Sequence, residues 1–251
     1  MSLERVALIS DVHGNLTALE AVLADIHRRG IARIVNLGDT AGKGPRGEDA
    51  VRRCRDVCEV NVRGNWDDFL PTIPDDGPSE MLWWRDELSA SSRAWLRSLP
   101  LSVDLVLSGH RIRLFHASAQ SPHVRVHFAH TPEQFSAMFE ATEMTGDGPL
   151  PDVVGYADIH DAYIESNDGR TLFNVGSVGN PLDTPVPSYV ILEGGQSADD
   201  PFGIQFVRVP YDVEAEIAVA ESLDMPTADV WAVELRTAVY RGRQASQTAT
   251  P

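Results

Sequence analysis

The chain has 251 residues, and 37 acidic against 21 basic side chains leave it a net charge of −16. That length allows one large domain or two small ones and is ample for a sizeable core, and 43% hydrophobic and 23% charged residues exclude disordered and fibrous classes. The acidic excess argues against duplex nucleic acid as a partner. No apolar run approaches the ~20 residues of a membrane span, and MSLERVALIS lacks a signal-peptide layout, so no membrane partner and a cytoplasmic location are expected.

The first sixty residues read β-α-β-α-β. RVALIS is a short apolar strand. In NLTALEAVLADIHRRG, Leu16, Leu19, Val22, Leu23 and Ile26 share one helical face, with Asn15 as N-cap and Gly30 as stop. ARIVNL, GEDAVRRCRDV and CEVNV continue as strand, helix and strand, an alternation that implies a largely parallel sheet covered by helices. Cys54 and Cys58 fall on the stripe of the second helix, which predicts reduced, packed thiols rather than a disulfide. After the turn-rich residues 71–80, MLWWRDELSASSRAWLRSLP predicts a helical, lid-like insert (about 71–100) whose Trp83, Trp84 and Trp95 suit core packing at least as well as ligand binding.

From about 101 the pattern turns to strands. Ser108-Gly109-His110 and Asn167-Asp168-Gly169 are hairpin turns, and further strands are expected at PDVV, AYIES, TLFNV, SYVILE and GIQFVRV. Between them lie a His-rich stretch, SPHVRVHFAH, and a helix near 132–141. Helices are expected over about 212–242, and 243–251 as a disordered tail. One domain over 1–242 results.

Polar residues collect just beyond the strands: Asp11 and His13 after the first, Asp39 after the second, Asn65 after the third, His116 after RIRLF, and Asp158 with His160 in YADIHDAY. Loops beyond the carboxyl ends of parallel strands converge on one crevice in open α/β sheets, so these residues should meet in space. Carboxylate, imidazole and amide oxygen together suit borderline divalent metals. Asp-x-His, Gly-Asp, Gly-Asn-x-Asp, an isolated His after a strand and a late x-x-x-His block occur in the order seen in calcineurin-like metallophosphoesterases. SDVHGNLTALEAVL, VNLGDTAGKGP and NVGSVGNP resemble the small bacterial phosphodiesterase branch of that superfamily, over roughly residues 5–195.

The resemblance implies a four-layer αββα sandwich of two mixed β-sheets flanked by helices. It also implies two divalent cations, Mn²⁺ first and Fe, Zn, Ni or Co next. By position, Asp11, His13 and His160 would hold one, Asp39 would bridge, and Asn65, His116 and Asp158 would hold the other. A hydroxide shared between the cations would attack phosphorus, with Asp39 and Asn65 among the catalytic residues and a small phosphate ester as substrate.

Two departures stand out. The family's Gly-Asn-His-Asp reads Gly64-Asn65-Trp66-Asp67 here, and indole cannot protonate a leaving alkoxide, a service commonly worth ~10²–10⁴-fold. Either another group supplies the proton, with His127 of the His-rich stretch the first candidate, or the substrate has a good leaving group. The resemblance to the small bacterial branch, whose members also lack this His and act as phosphodiesterases, favours diesters. The family's Gly-His-x-His reads Ala157-Asp158-Ile159-His160, placing a carboxylate where a metal-binding His is usual. Asp158 is expected to ligate, with a bond to water or to a neighbouring group as the alternative. The rival functions are a phosphomonoesterase, phosphoproteins included, and a degenerate, non-catalytic scaffold. Gly42-Lys43-Gly44-Pro45-Arg46-Gly47 matches G-x-G-x-x-G, but it starts too far from the strand and Pro45 removes a needed N–H, so no nucleotide cofactor is expected. Lys43 and Arg63 could contact phosphate or merely form surface ion pairs.

Overall fold

In the computed structural model, which describes residues 3–247, β1 (Glu4–Ile9), α1 (Leu16–Arg28), β2 (Arg33–Asn36), α2 (Gly47–Val57) and β3 (Val60–Asn61) follow the expected alternation. Asn15 caps α1 by accepting from the Ala18 N–H. The three strands are parallel, and β9 (Ser188–Gly194) and β10 (Gly203–Arg208) complete the sheet as antiparallel strands in the order β10-β9-β1-β2-β3.

A second sheet, ordered β4-β5-β6-β8-β7, contains β4 (Ser102–Leu107), β5 (His110–Phe115), β6 (Val153–Tyr156), β7 (Tyr163–Asn167) and β8 (Arg170–Asn174). Its inner strands β5, β6 and β8 are parallel, and its edges antiparallel. Both hairpins turn through left-handed residues, Ser108-Gly109 (φ 49° and 77°) and Asp168-Gly169 (φ 50° and 74°), as two-residue type I′ turns require.

Alternation along the strands builds the layers. Val6 and Leu8 of β1 point between the sheets, where they meet Leu114, Val153 and Phe173; Ala7 and Ile9 face α1 and pack on Leu19, Val22 and Ile26. On the outer face of the second sheet, Phe115, Tyr156 and Leu172 pack with Phe135 and Phe139, at and beyond α6 (Pro132–Ala137). That helix ends short of the expected 141. The result is two mixed five-stranded sheets flanked by helices.

After α3 (Asn65–Phe69), the insert consists of a short 3₁₀ turn (Leu70–Thr72), α4 (Ser79–Glu87) and α5 (Ala90–Ser98). Trp84 is fully buried there among Leu70, Leu88 and Leu96, while half-buried Trp83 also packs on the carboxyl-terminal helices α7 (Val213–Ser222) and α8 (Ala228–Thr237). The tail expected from residue 243 is helical as far as the description reaches: α9 spans Arg241–Gln247, and 248–251 lie outside the described residues. Tertiary partners explain the difference. Arg241 pairs with buried Glu234, and the Gln244 side chain donates to the carbonyls of Val230 and Val239. Among the described residues no helix is long and apolar enough to cross a membrane.

Candidate active site

The strand-end residues meet at one edge of the paired sheets. Asp11, His13, Asp39, His116, Asp158 and His160 are all at most 4% exposed, and Asn65 is half-buried. Five of them hold left-handed backbone: Asp11 (φ 52°), His13 (49°), Asp39 (56°), Asp158 (64°) and His160 (63°). Asp and His are among the few side chains that tolerate this region, and such conformations persist only where the surroundings impose them. Here neighbouring loops do so. Asp11 and His13 donate backbone N–H groups to the carbonyls of Gly38 and Asp39, and Gly179 donates to that of Asp11.

Two overlapping triads result: Asp11, His13 and His160, and Asp11, Asp39 and His116, with the ligand atoms of each within 4.8 Å of one another. Asp39 faces both, with Oδ2 3.6 Å from His13 Nε2 and Oδ1 3.4 Å from His116 Nε2. His160 Nε2 lies 3.3 Å from Asp11 Oδ1 and 3.2 Å from His13 Nε2. Hydrogen bonds from His116 Nδ1 to the Leu37 carbonyl and from His160 Nδ1 to the Asn180 carbonyl fix both rings, because a carbonyl only accepts; each Nε2 is thereby turned inward.

The donor set fits divalent cations. Buried Asp11 Oδ1 and His116 Nε2 have no hydrogen-bond partner, a costly state for polar atoms that a cation would relieve. Burial pushes the His13 pKa far down, helped by Lys43 and His160, so His13 carries a neutral lone pair. Burial opposes protonation of His116 too, but Asp39, Asp11 and Asp158 outweigh it and hold the ring at about 10 without a cation, so a metal taking Nε2 must displace that proton. Asp11 is raised by burial yet ends below its ordinary value through His160, His116 and Lys43.

Asp158 has a different company. It lies 3.8 Å from His116 Nε2, but Arg125 donates to both its oxygens at 2.8 Å and Asn65 Nδ2 donates to Oδ1 at 3.1 Å. Arg125 belongs to the His-rich stretch, which is irregular as expected. Its histidines diverge: His123 bonds Asp68, His130 approaches Glu165, and His127 lines the cavity. Lys43 Nζ stands 3.3 Å from His160 Nε2 and lies over the Trp66 ring, whereas Arg63 pairs with Asp68. Of the two basic residues singled out in the sequence, only Lys43 reaches the site. Arg125 and the carboxyl-terminal wall went unseen. A lone Arg between valines carries no signal, and pattern alone does not place a late helix over an early loop.

A cavity of about 1300 Å³ opens at the triads, where Asp158 and His160 line it, and its wall includes Lys43, Trp66, Trp84, Arg125, His127, Phe128 and residues 238–243. Residues 5–196 match the Calcineurin-like phosphoesterase superfamily domain. The chain belongs to that superfamily. It is 32% identical over 222 residues to an uncharacterised protein of Methanocaldococcus jannaschii, covering 83% of this chain and 88% of the relative. It also resembles the crystal structure of a metallophosphoesterase from Sphaerobacter thermophilus at 25% identity and a TM-score of 0.72, covering 94% of this chain and 99% of that one. A hypothetical protein of Pyrococcus horikoshii gives the same TM-score and coverage at 17% identity, a likeness of fold alone. As a member of this metal-dependent superfamily, the protein is a hydrolase acting on phosphoric ester bonds, with candidate metal ligands at the sheet edge.

Proposed function

We propose that this protein is a phosphodiesterase that uses two divalent cations, Mn²⁺ foremost, to cleave a small phosphate diester in the cavity above Asp39. The observation that carries the reading is Asp39 lying between the two ligand sets, one oxygen 3.6 Å from His13 Nε2 and the other 3.4 Å from His116 Nε2, where a carboxylate could serve both cations. Asp11, His13 and His160 would hold one cation and Asp11 and His116 the other, with Asp39 shared between them and Asn65 and Asp158 beside the second. When bound, such a pair supplies Lewis-acid neutralisation of phosphoryl charge and a water acidified toward neutral pH.

The chain's own groups do the rest. Lys43 and Arg125 bring positive charge to an otherwise carboxylate-rich floor. Trp66 fills the space under Lys43 and cannot donate to a leaving oxygen, which favours diesters whose alcohol leaves readily. His127 faces the cavity and is the candidate donor where the alcohol leaves poorly. The free thiols, Cys54 buried and Cys58 half-buried, suit the cytoplasm.

Mn²⁺-dependent hydrolysis of bis-nitrophenyl phosphate, faster than that of the monoester, is the expected activity. Asp39→Asn should abolish it while the circular-dichroism spectrum is unchanged. Undiminished turnover in that variant, or a parent protein that binds no transition metal, would refute the reading.

A further inference from the structure

Asp158 and Arg125 form the most complete charge pair at the cavity floor. Arg125 donates from Nε to Oδ2 and from Nη2 to Oδ1, both at 2.8 Å, onto a carboxylate whose side chain is 2% exposed, while half of the arginine side chain stays open. A guanidinium has five N–H donors. Asp158 takes two, and Arg125 makes no other hydrogen bond among the described residues, so three donors remain, two on Nη1 and one on Nη2.

The pair stands beside the second triad, through the 3.8 Å approach of Asp158 to His116, while Lys43 stands beside the first, 3.3 Å from His160. Each triad thus has one basic side chain at its rim. Planar, two-point recognition of an oxyanion is the particular capacity of arginine, and a buried carboxylate behind it fixes the plane.

We propose that Arg125 is a substrate-binding residue, gripping the non-bridging oxygens of the phosphoryl group through its Nη1 edge, and that Asp158 is a positioning residue holding the guanidinium there. The proposal rests on the phosphoesterase reading of the cavity and deepens it. It gives Asp158, which stands where relatives carry a histidine, work on the substrate side of the site.

The test uses the full chain loaded with Mn²⁺ and titrated with inorganic phosphate by calorimetry, beside elemental analysis of bound metal and steady-state kinetics. Arg125→Ala should weaken phosphate binding and raise KM for the diester by roughly 10- to 100-fold, with bound metal unchanged and kcat less affected. Asp158→Asn should reproduce the KM effect, and the double variant should be no worse than Arg125→Ala, since both act through one contact. Because Arg125 is half open, its variant tests the idea even if Asp158→Asn misfolds. Parent-like phosphate affinity in Arg125→Ala overturns the proposal, as does an Asp158→Asn protein that folds, loses a metal equivalent and keeps its phosphate affinity. The titration needs no turnover, so phosphate binding lost in Arg125→Ala alongside an inactive parent would sink the phosphodiesterase reading and not this one.

Discussion

The Asp67 carboxylate holds the Asp39 loop by its backbone: Oδ2 accepts from the Asp39 N–H at 2.7 Å and from Gly64 at 3.0 Å, and Oδ1 accepts from Thr40 at 3.0 Å. Asp67 is 1% exposed, so water cannot replace these bonds. Asp67→Ala should leave three buried donors unpaired, cost on the order of 2–4 kcal/mol in urea unfolding, and lower metal content. Parent-like stability and metal content would remove Asp67 from this role.

Gly64 allows the close approach of the same two loops. A methyl group there would lie 2.2 Å from Asp39 Oδ1 and 2.5 Å from its backbone nitrogen. Gly64→Ala is therefore expected to displace Asp39, with loss of metal and of phosphoesterase activity out of proportion to any fall in melting temperature. A variant that binds metal as the parent does would contradict the geometry.

Glu87 makes the stability depend on pH. Burial pushes its carboxyl up to about 8 against the small opposing pull of the Gly47 N–H. The folded state then keeps a proton that the unfolded chain loses near 4.5, so this group's contribution to stability falls as pH rises from about 4.5 through 8. Glu87→Gln should match the parent near pH 4.5 and exceed it by on the order of 2–4 kcal/mol at pH 9. Parallel melting curves across that range would refute the assignment.

Arg241 closes the cavity wall by binding Glu234, which is 1% exposed and also accepts from Asn180, whose carbonyl receives the His160 ring. Arg241→Ala leaves that buried carboxylate with the Asn180 amide but without its charge partner, a change that typically costs about 3–5 kcal/mol. Faster hydrogen exchange over 238–247 is expected, with KM rising more than kcat falls. Unchanged exchange there would show that the wall is held by other contacts.

His127→Ala should slow diesters of poorly leaving alcohols by roughly 10²-fold or more and leave nitrophenyl esters nearly untouched. Equal losses on both would remove it as the proton donor.

Much of this could be read in advance because it is local. The period of α1, the Asp168-Gly169 turn and the strand-end position of Asp11 and Asp39 depend on neighbours in sequence. Arg125 escaped because its meaning lies 33 residues away in Asp158, and no periodicity marks it. The helical state of 243–247 was missed for a similar reason: RQASQTATP is polar and featureless until the carbonyls of Val230 and Val239 give Gln244 something to hold, just past the Arg241–Glu234 pair.

The cavity draws its floor and its roof from separate stretches of chain. The carboxylates and imidazoles all lie within the span shared with the superfamily, and residues 238–243 lie beyond it. A substitution in the late stretch can therefore reshape the cavity's opening without touching the buried carboxylates and imidazoles at its base.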